Sequence, residues 1–214
     1  MKSNNIIPKN VISRLPRYYR FLGMLLDEGM ERISSNELSR RMGLTASQIR
    51  QDLNHFGGFG QQGYGYNITQ LREQIGHIIG IDNYYNVILI GAGNLGRAIA
   101  QHLNFQKRGF NLIALFDSDE KLTGIRIGNF AIRHFSQLEE FCEEHKPTAA
   151  ILCIPSNAGK DVTQKLIDCN INAFWNFSHY NISDDFPDAI VENVHLNDSL
   201  MTLCYNITNS EETP

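Results

Sequence analysis

Three glycines, Gly91, Gly93 and Gly96, punctuate the stretch "VILIGAGNLGRAIA" at residues 87–100. An apolar strand that runs into G-x-G-x-x-G and then into a helix has the chemistry of a dinucleotide cradle. The first glycine permits the tight turn, the second lets the backbone approach a pyrophosphate, and the third lets helix and strand pack closely, with the phosphates on the helix N-terminus. Gly91, Ala92, Gly93, Asn94, Leu95 and Gly96 are therefore the candidate phosphate-binding residues. A second strand, "NLIALFD", ends in Asp117, 21 residues beyond Gly96, where an acid accepts hydrogen bonds from the adenosine ribose. Asp119 follows and no arginine does, so a 2'-phosphate is repelled and NAD(H) is favoured over NADP(H). The alternative is a glycine-rich turn that binds nothing.

A second set of residues suits a different polymer. "SSNELSRRMGLTASQIRQDLNHF" reads as two short helices, the first capped by Ser35 and ended by Gly43, the second capped by Thr45. Joined around "MGLT", they form a helix-turn-helix in which Ile49 and Leu53 face the core. Ser47, Gln48, Arg50 and Gln51 stay outward, and these residue types reach base edges and phosphates. "GFGQQGYGYNI" follows, its glycines and alternating Phe59, Tyr64 and Tyr66 predicting a hairpin with Gln61, Gln62 and Gly63 at the tip. Helix-turn-helix plus hairpin is a winged helix, a shape that also serves protein–protein contact.

Charge favours nucleic acid. Residues 1–80 hold 10 Lys+Arg against 6 Asp+Glu, a net of +4, while residues 81–214 hold 9 against 17, a net of -8, within an overall -4. A basic front on an acidic back points to a polyanion partner for the front alone.

These elements need a scaffold. A helix is predicted from about Asn10 to Glu28, with Leu15, Tyr18, Tyr19, Leu22, Leu25 and Leu26 at helical spacing and Pro16 near enough to its start to be tolerated. Behind the glycine turn, strands at 149–155 and 173–177 flank the helix "GKDVTQKLIDCN", the alternation of a parallel sheet. The fold class is α/β: a winged helix-turn-helix domain over residues 1–80, a Rossmann-like parallel-sheet domain over 81–195, and a C-terminal helix and tail over 196–214. Leu196, Leu200, Leu203, Cys204 and Ile207 form an apolar stripe that suits a partner or the helix's own sheet. At 42% hydrophobic and 20% charged residues the composition is that of an ordinary globular protein. "MKSNNIIPKN" lacks the apolar run of a signal peptide and no segment approaches a membrane span, so a cytoplasmic location is expected. The four cysteines show no CxxC spacing, and Cys142 with His145 do not close a metal site, so no metal is expected.

A dehydrogenase needs a substrate pocket and a placed proton donor, usually from a second domain. The second domain here is the winged helix, and His102, His134, His179 and His195 read as isolated. No catalytic residue is assigned. A DNA reader joined to a dinucleotide reader is a ligand-gated regulator; a small NAD-dependent enzyme and a regulator answering to another nucleotide are the rival readings.

"SRLPRYYRFL", "ISSNELSRRMGLTASQIRQDL", "GFGQQGYGYNI", "GAGNLGRA", "FD", "WNF" and "VENVHL" resemble, in the same order and across nearly the whole chain, the Rex family of redox-sensing transcriptional repressors. The resemblance implies a homodimer that binds a palindromic operator when NADH is scarce and releases it when NADH accumulates, with the C-terminal helix exchanged between subunits. Pro155, Asn176 and Phe177 complete the candidate cofactor set, the nicotinamide lying near Asn176, Phe177 and "NVHL". It further implies a switch in which an aspartate moves between a tyrosine after the first Rossmann helix and an arginine, matched here by Arg20. This chain carries His102 and His195 at the tyrosine and aspartate positions, and two imidazoles cannot reproduce an acid-centred switch unchanged.

Overall fold

Pro16 decides how the first helices form. The computed structural model describes residues 7–57, 60–61 and 64–210, and over the first of these the expected continuous helix is broken in two, α1 (Lys9–Ile12) and α2 (Leu15–Asp27). Pro16 has no N–H and sits in the first turn of α2, where none is needed, so the chain restarts there instead of running through. Leu15, Tyr18, Leu22 and Leu25 are buried as their spacing predicts.

The chain divides into two compact units, Met1–Asp82 and Asn83–Pro214. In the first, α3 (Ser35–Met42) is capped by Ser34, whose Oγ accepts the Glu37 N–H at 3.1 Å. The expected cap, Ser35, is already helical, because Ser34 keeps the extended backbone that a cap requires. Gly43 ends α3 in the left-handed region (φ 64°), and Thr45 Oγ1 accepts the Gln48 N–H at 3.1 Å to start α4 (Ala46–Asn54). Strands β1 (Arg32–Ile33), β2 (Gly60–Gln61) and β3 (Gly65–Asn67) make a small antiparallel sheet in the order β1-β3-β2. Gln61 pairs with Gly65 on the strand, not at the hairpin tip as its sequence suggested, and Phe59, Gln62 and Gly63 lie outside the described residues. Asn67 then caps α5 (Ile68–Ile79), which buries Ile68, Leu71 and Ile75 against α2.

The second unit is a seven-stranded sheet of β4 (Tyr85–Ile90), β5 (Phe110–Asp117), β6 (Arg126–Ile127), β7 (Phe130–His134), β8 (Ala149–Leu152), β9 (Ala173–Asn176) and β10 (Ile190–Asn193). Their order is β10-β9-β8-β4-β5-β7-β6, and every neighbouring pair is parallel except β6 with β7. The helices are α6 (Asn94–His102), α7 (Leu138–His145), α8 (Gly159–Asp168), the short α9 (Ile182–Asp185) and α10 (Leu196–Ser210). Ile88, Ile90, Ala150, Leu152 and Phe174 meet α7 and α8 on one face, while Val87, Leu89 and Ile151 meet α6 on the other. Continuous apolar runs such as "VILI" are what a sheet covered on both faces requires.

Coverage is incomplete on the α6 side. A cavity of about 410 Å³ opens over β8, β9 and β10, lined by Val87, Leu103, Phe105, Ile151, Trp175 and Ile190 among others. Every residue of α10 is exposed, including Leu196, Leu200, Leu203 and Ile207, so the stripe does not pack on its own sheet. No helix among the described residues is long and apolar enough to cross a membrane.

Candidate nucleotide site and nucleic-acid interface

From β4 the chain builds outward to β5 and β7, then returns to β8 on the opposite side of β4. At such a reversal the loops leave in opposite directions and open a crevice beyond the strand C-termini. Gly91 leaves β4 at that point with φ 96°, its N–H donating to the Phe116 carbonyl at 2.8 Å. A side chain on Gly91 would overlap the Cys153 carbonyl, and one on Gly96 would overlap the Gly91 carbonyl. Gly93 differs. It is exposed, its φ is -68°, and nothing in the protein lies within 4 Å of where its Cβ would be. Asn94 and Leu95 open α6, whose first N–H groups receive no side-chain cap, so they remain available to an anion.

Asp117 is tied to the same turn. Its Oδ2 accepts the Ala92 N–H at 2.6 Å and its Oδ1 accepts the Asp119 N–H at 2.9 Å. Each carboxylate oxygen keeps a further lone pair for a ribose hydroxyl. The carboxylate therefore shapes the turn before any ligand arrives, a role its position in the sequence did not disclose.

Across the crevice Pro155 is exposed and Asn176 fully buried. Asn176 Nδ2 donates to the Tyr180 carbonyl at 2.9 Å and to Asn193 Oδ1 at 2.8 Å, while its Oδ1 accepts from the Ser178 N–H at 3.0 Å and Ser178 Oγ at 2.6 Å. Its hydrogen-bonding capacity is used within the protein, so Asn176 shapes the loop that carries Phe177, which meets Trp175 edge to face at 4.6 Å. The loop is braced again at Tyr180, whose hydroxyl donates to Asp185 Oδ2 at 2.6 Å while Lys160 holds Oδ1 at 2.7 Å. Lys160 and then Tyr180 keep the Asp185 carboxyl below the usual carboxylate range, and burial, reinforced by Asp185, pushes the Tyr180 phenol up to about 12. His102 and His195 are exposed. His195 is not isolated as its sequence context suggested: its ring faces that of His179, centroids 6.3 Å apart and nearly parallel at 9°.

In the first unit Ser47, Arg50 and Gln51 are exposed on α4, with Gln48 half-buried. Arg50 Nη1 donates to Ser35 Oγ at 2.9 Å, which holds its guanidinium beside the start of α3. Arg20 is exposed on α2. On the inner face of α4, beside Ile49 and Leu53, stands Asp52, buried and held by Arg14 and Tyr18. A carboxylate three residues after Ile49 and next to Leu53 was the available signal for it.

A family model described as "Putative DNA-binding protein N-terminus" matches residues 6–54, and one described as "CoA binding domain" matches residues 82–180. The redox-sensing transcriptional repressor Rex of Caldanaerobacter subterraneus subsp. tengcongensis is 48% identical over 211 residues, covering 99% of this chain and 94% of the relative. That of Clostridioides difficile is 48% identical over 206 residues, covering 96% and 97%. The chain belongs to the Rex family of redox-sensing transcriptional repressors. Its fold agrees with the family's solved structures. A crystal structure of RSP in complex with beta-NAD+ and operator DNA matches with a TM-score of 0.87 and 47% identity, covering 97% of this chain and 95% of that one. One of RSP with beta-NADH matches with the same TM-score at 44% identity, covering 97% of each chain. Family membership makes the chain a regulator and not an enzyme.

Proposed function

We propose that this protein is a cytoplasmic, homodimeric repressor that binds palindromic operator DNA when NADH is low and releases it when NADH binds. The observation that carries the reading is the pairing, on one chain, of a helix-turn-helix with an outward polar face and a parallel sheet whose glycine turn and Asp117 meet at its point of reversal. Its 47% and 44% identical relatives, crystallised with beta-NAD+ and operator DNA and with beta-NADH, supply the ligand classes. NADH and coenzyme A share an adenosine diphosphate, so the second family description is compatible with a nicotinamide ligand.

In this reading Ser47, Gln48, Arg50 and Gln51 meet the major groove, and Gln61, Gln62 and Gly63 are the further DNA-contact candidates. Gly91 to Gly96 cradle the pyrophosphate and Asp117 holds the ribose. Pro155, Phe177 and the loop that Asn176 fixes surround the nicotinamide. Residues 1–80, 81–195 and 196–214 act as reader, sensor and dimer-forming helix with its tail. The bare sheet face receives the partner's α10, which accounts for an apolar stripe with no cover in its own chain. Two recognition helices on a palindrome must lie about 34–36 Å apart, or a multiple of that, so a modest rotation between subunits spoils simultaneous docking. Arg20, His102 and His195 are the switch candidates. By linkage, operator DNA weakens NADH binding by the factor that NADH weakens DNA binding.

The test is anisotropy of labelled operator DNA across NADH to NAD ratios at fixed total nucleotide, with ADP and coenzyme A as competitors. Release that follows NADH is expected. A flat response to the ratio would leave a DNA-binding protein without redox sensing, and release by coenzyme A alone would replace the ligand.

A further inference from the structure

The inner face of α4 contains a device that the operator contacts do not account for. Asp52 is 2% exposed, yet it is an acid on the helix that presents Arg50 and Gln51 to solvent. Arg14 Nε donates to Asp52 Oδ2 at 2.7 Å and Arg14 Nη2 to Asp52 Oδ1 at 2.6 Å, a bidentate pair, and the Tyr18 hydroxyl donates to Oδ2 at 2.8 Å. Tyr18 is fully buried, and burial together with Asp52 pushes its phenol above the ordinary tyrosine range, so it stays a donor. One turn along α2, Arg17 Nη2 donates to the Met42 carbonyl at the end of α3. Both donors to Asp52 come from α1–α2 chain, thirty-four and thirty-eight residues away, so the contact joins two elements and not neighbours in one.

The other buried anchors of α4, Ile49 and Leu53, are apolar, and beyond them α4 makes only the single exposed Arg50–Ser35 side-chain hydrogen bond to α3 among the described residues. Apolar contact is non-directional and tolerates rotation of a helix about its axis. A bidentate guanidinium–carboxylate pair does not, because two parallel hydrogen bonds fix an angle as well as a distance. At the 5–6 Å radius of a helix with its side chains, a 10° rotation moves a side-chain tip by about 1 Å. That shift carries a base-edge hydrogen bond out of its narrow distance range, whereas the attraction of Arg50 for a phosphate changes little over it. We propose that Asp52, gripped by Arg14 and Tyr18, is a positioning residue that sets the rotational pitch of α4 and thereby sequence discrimination, separately from bulk DNA affinity.

The proposal rests on α4 as the DNA-facing helix, and the experiment separates the two. Operator sites are selected from a random duplex library with the full-length wild-type protein. Affinities for the selected site and for a scrambled duplex are then measured across salt concentrations for wild type, Tyr18→Phe and Asp52→Asn. Tyr18→Phe removes one hydroxyl and keeps the ring in the core, so it is the primary variant, and thermal melts establish that it is folded. The expected result is a fall of about tenfold in the ratio of operator to scrambled affinity, the effect of misplacing one bidentate base contact. Scrambled-site affinity and its salt slope stay within about twofold of wild type, since phosphate contacts carry them. An unchanged ratio in a folded Tyr18→Phe protein, or an equal loss on both duplexes, overturns the proposal and leaves the clamp a purely structural one. Failure of the wild type to select any site would instead remove α4 as a reader, and the proposal with it.

Discussion

The two units solve recognition in opposite ways. In the first, the proposed function lies in what side chains add: Ser47, Arg50 and Gln51 project from α4, and behind them Arg14 and Tyr18 grip Asp52. In the second, the proposed function lies in where side chains are missing, since Gly91 and Gly96 stand where a methyl group would strike a backbone carbonyl. A site made of projecting groups degrades in steps as they are trimmed. One made of absent groups tolerates nothing larger and fails abruptly.

The largest effect is expected at Gly96. A methyl there meets the Gly91 carbonyl and the Leu89 side chain, both inside a packed strand–helix junction. Gly96→Ala should lower stability of the second unit by about 3 kcal/mol and abolish NADH binding, read by a thermal melt and an NADH fluorescence titration. A variant that melts like wild type and binds NADH would break the comparison at its strongest point.

Gly93→Ala sharpens it. Nothing in the protein opposes the new methyl and the backbone is unstrained, so the melt should not move. NADH affinity should nonetheless fall by roughly a hundredfold, because the methyl occupies the approach of the pyrophosphate. Unaltered affinity would place the phosphates elsewhere.

Asp117→Ala should act more mildly, at about tenfold in NADH affinity, since it removes the acceptor for the Ala92 N–H together with the proposed ribose contact. Discrimination against NADPH should relax at the same time, as the charge opposing a 2'-phosphate is gone. A side-by-side titration of the two cofactors decides it, and equal affinity of the wild type for both would contradict the assignment.

Arg50→Ala is the smallest, a several-fold loss of operator affinity. Its salt slope should drop by about 0.9, the share of one phosphate contact. NADH affinity should stay put. A slope unchanged from wild type would remove this side chain from the interface.

Legibility in the sequence followed the same division. The glycine turn, Asp117 and the apolar strands announced the second unit because backbone constraints and burial on both sheet faces leave only a few residue types. The helix-turn-helix was equally plain from Gly43, Thr45 and the spacing of Ile49 and Leu53. What escaped were short elements, β1, β6, β7, α9 and β10 among them, and contacts between residues far apart in the chain. Arg14 and Asp52 are thirty-eight positions apart, and only the folded unit brings them within hydrogen-bonding reach. The break before α2 was missed although its cause stands in the sequence: Pro16 was read as tolerated near the start of one helix from Asn10, whereas it occupies the first turn of a new one. His195 next to His179 is likewise a meeting of two strand exits that no linear spacing reveals.

Trp175 is the sole indole of the chain. It lies on β9, lines the bare cavity on one side and touches Phe177 on the other. Filling of that cavity by a second subunit would dehydrate the ring and move its emission to shorter wavelength. A reduced nicotinamide beside Phe177 would instead quench it, since the dihydropyridine absorbs in the region where an indole emits and the oxidised ring does not. One intrinsic fluorophore thus gives two distinguishable optical signals, a spectral shift for assembly and a loss of intensity for reduced cofactor, so both steps can be followed in the unlabelled protein.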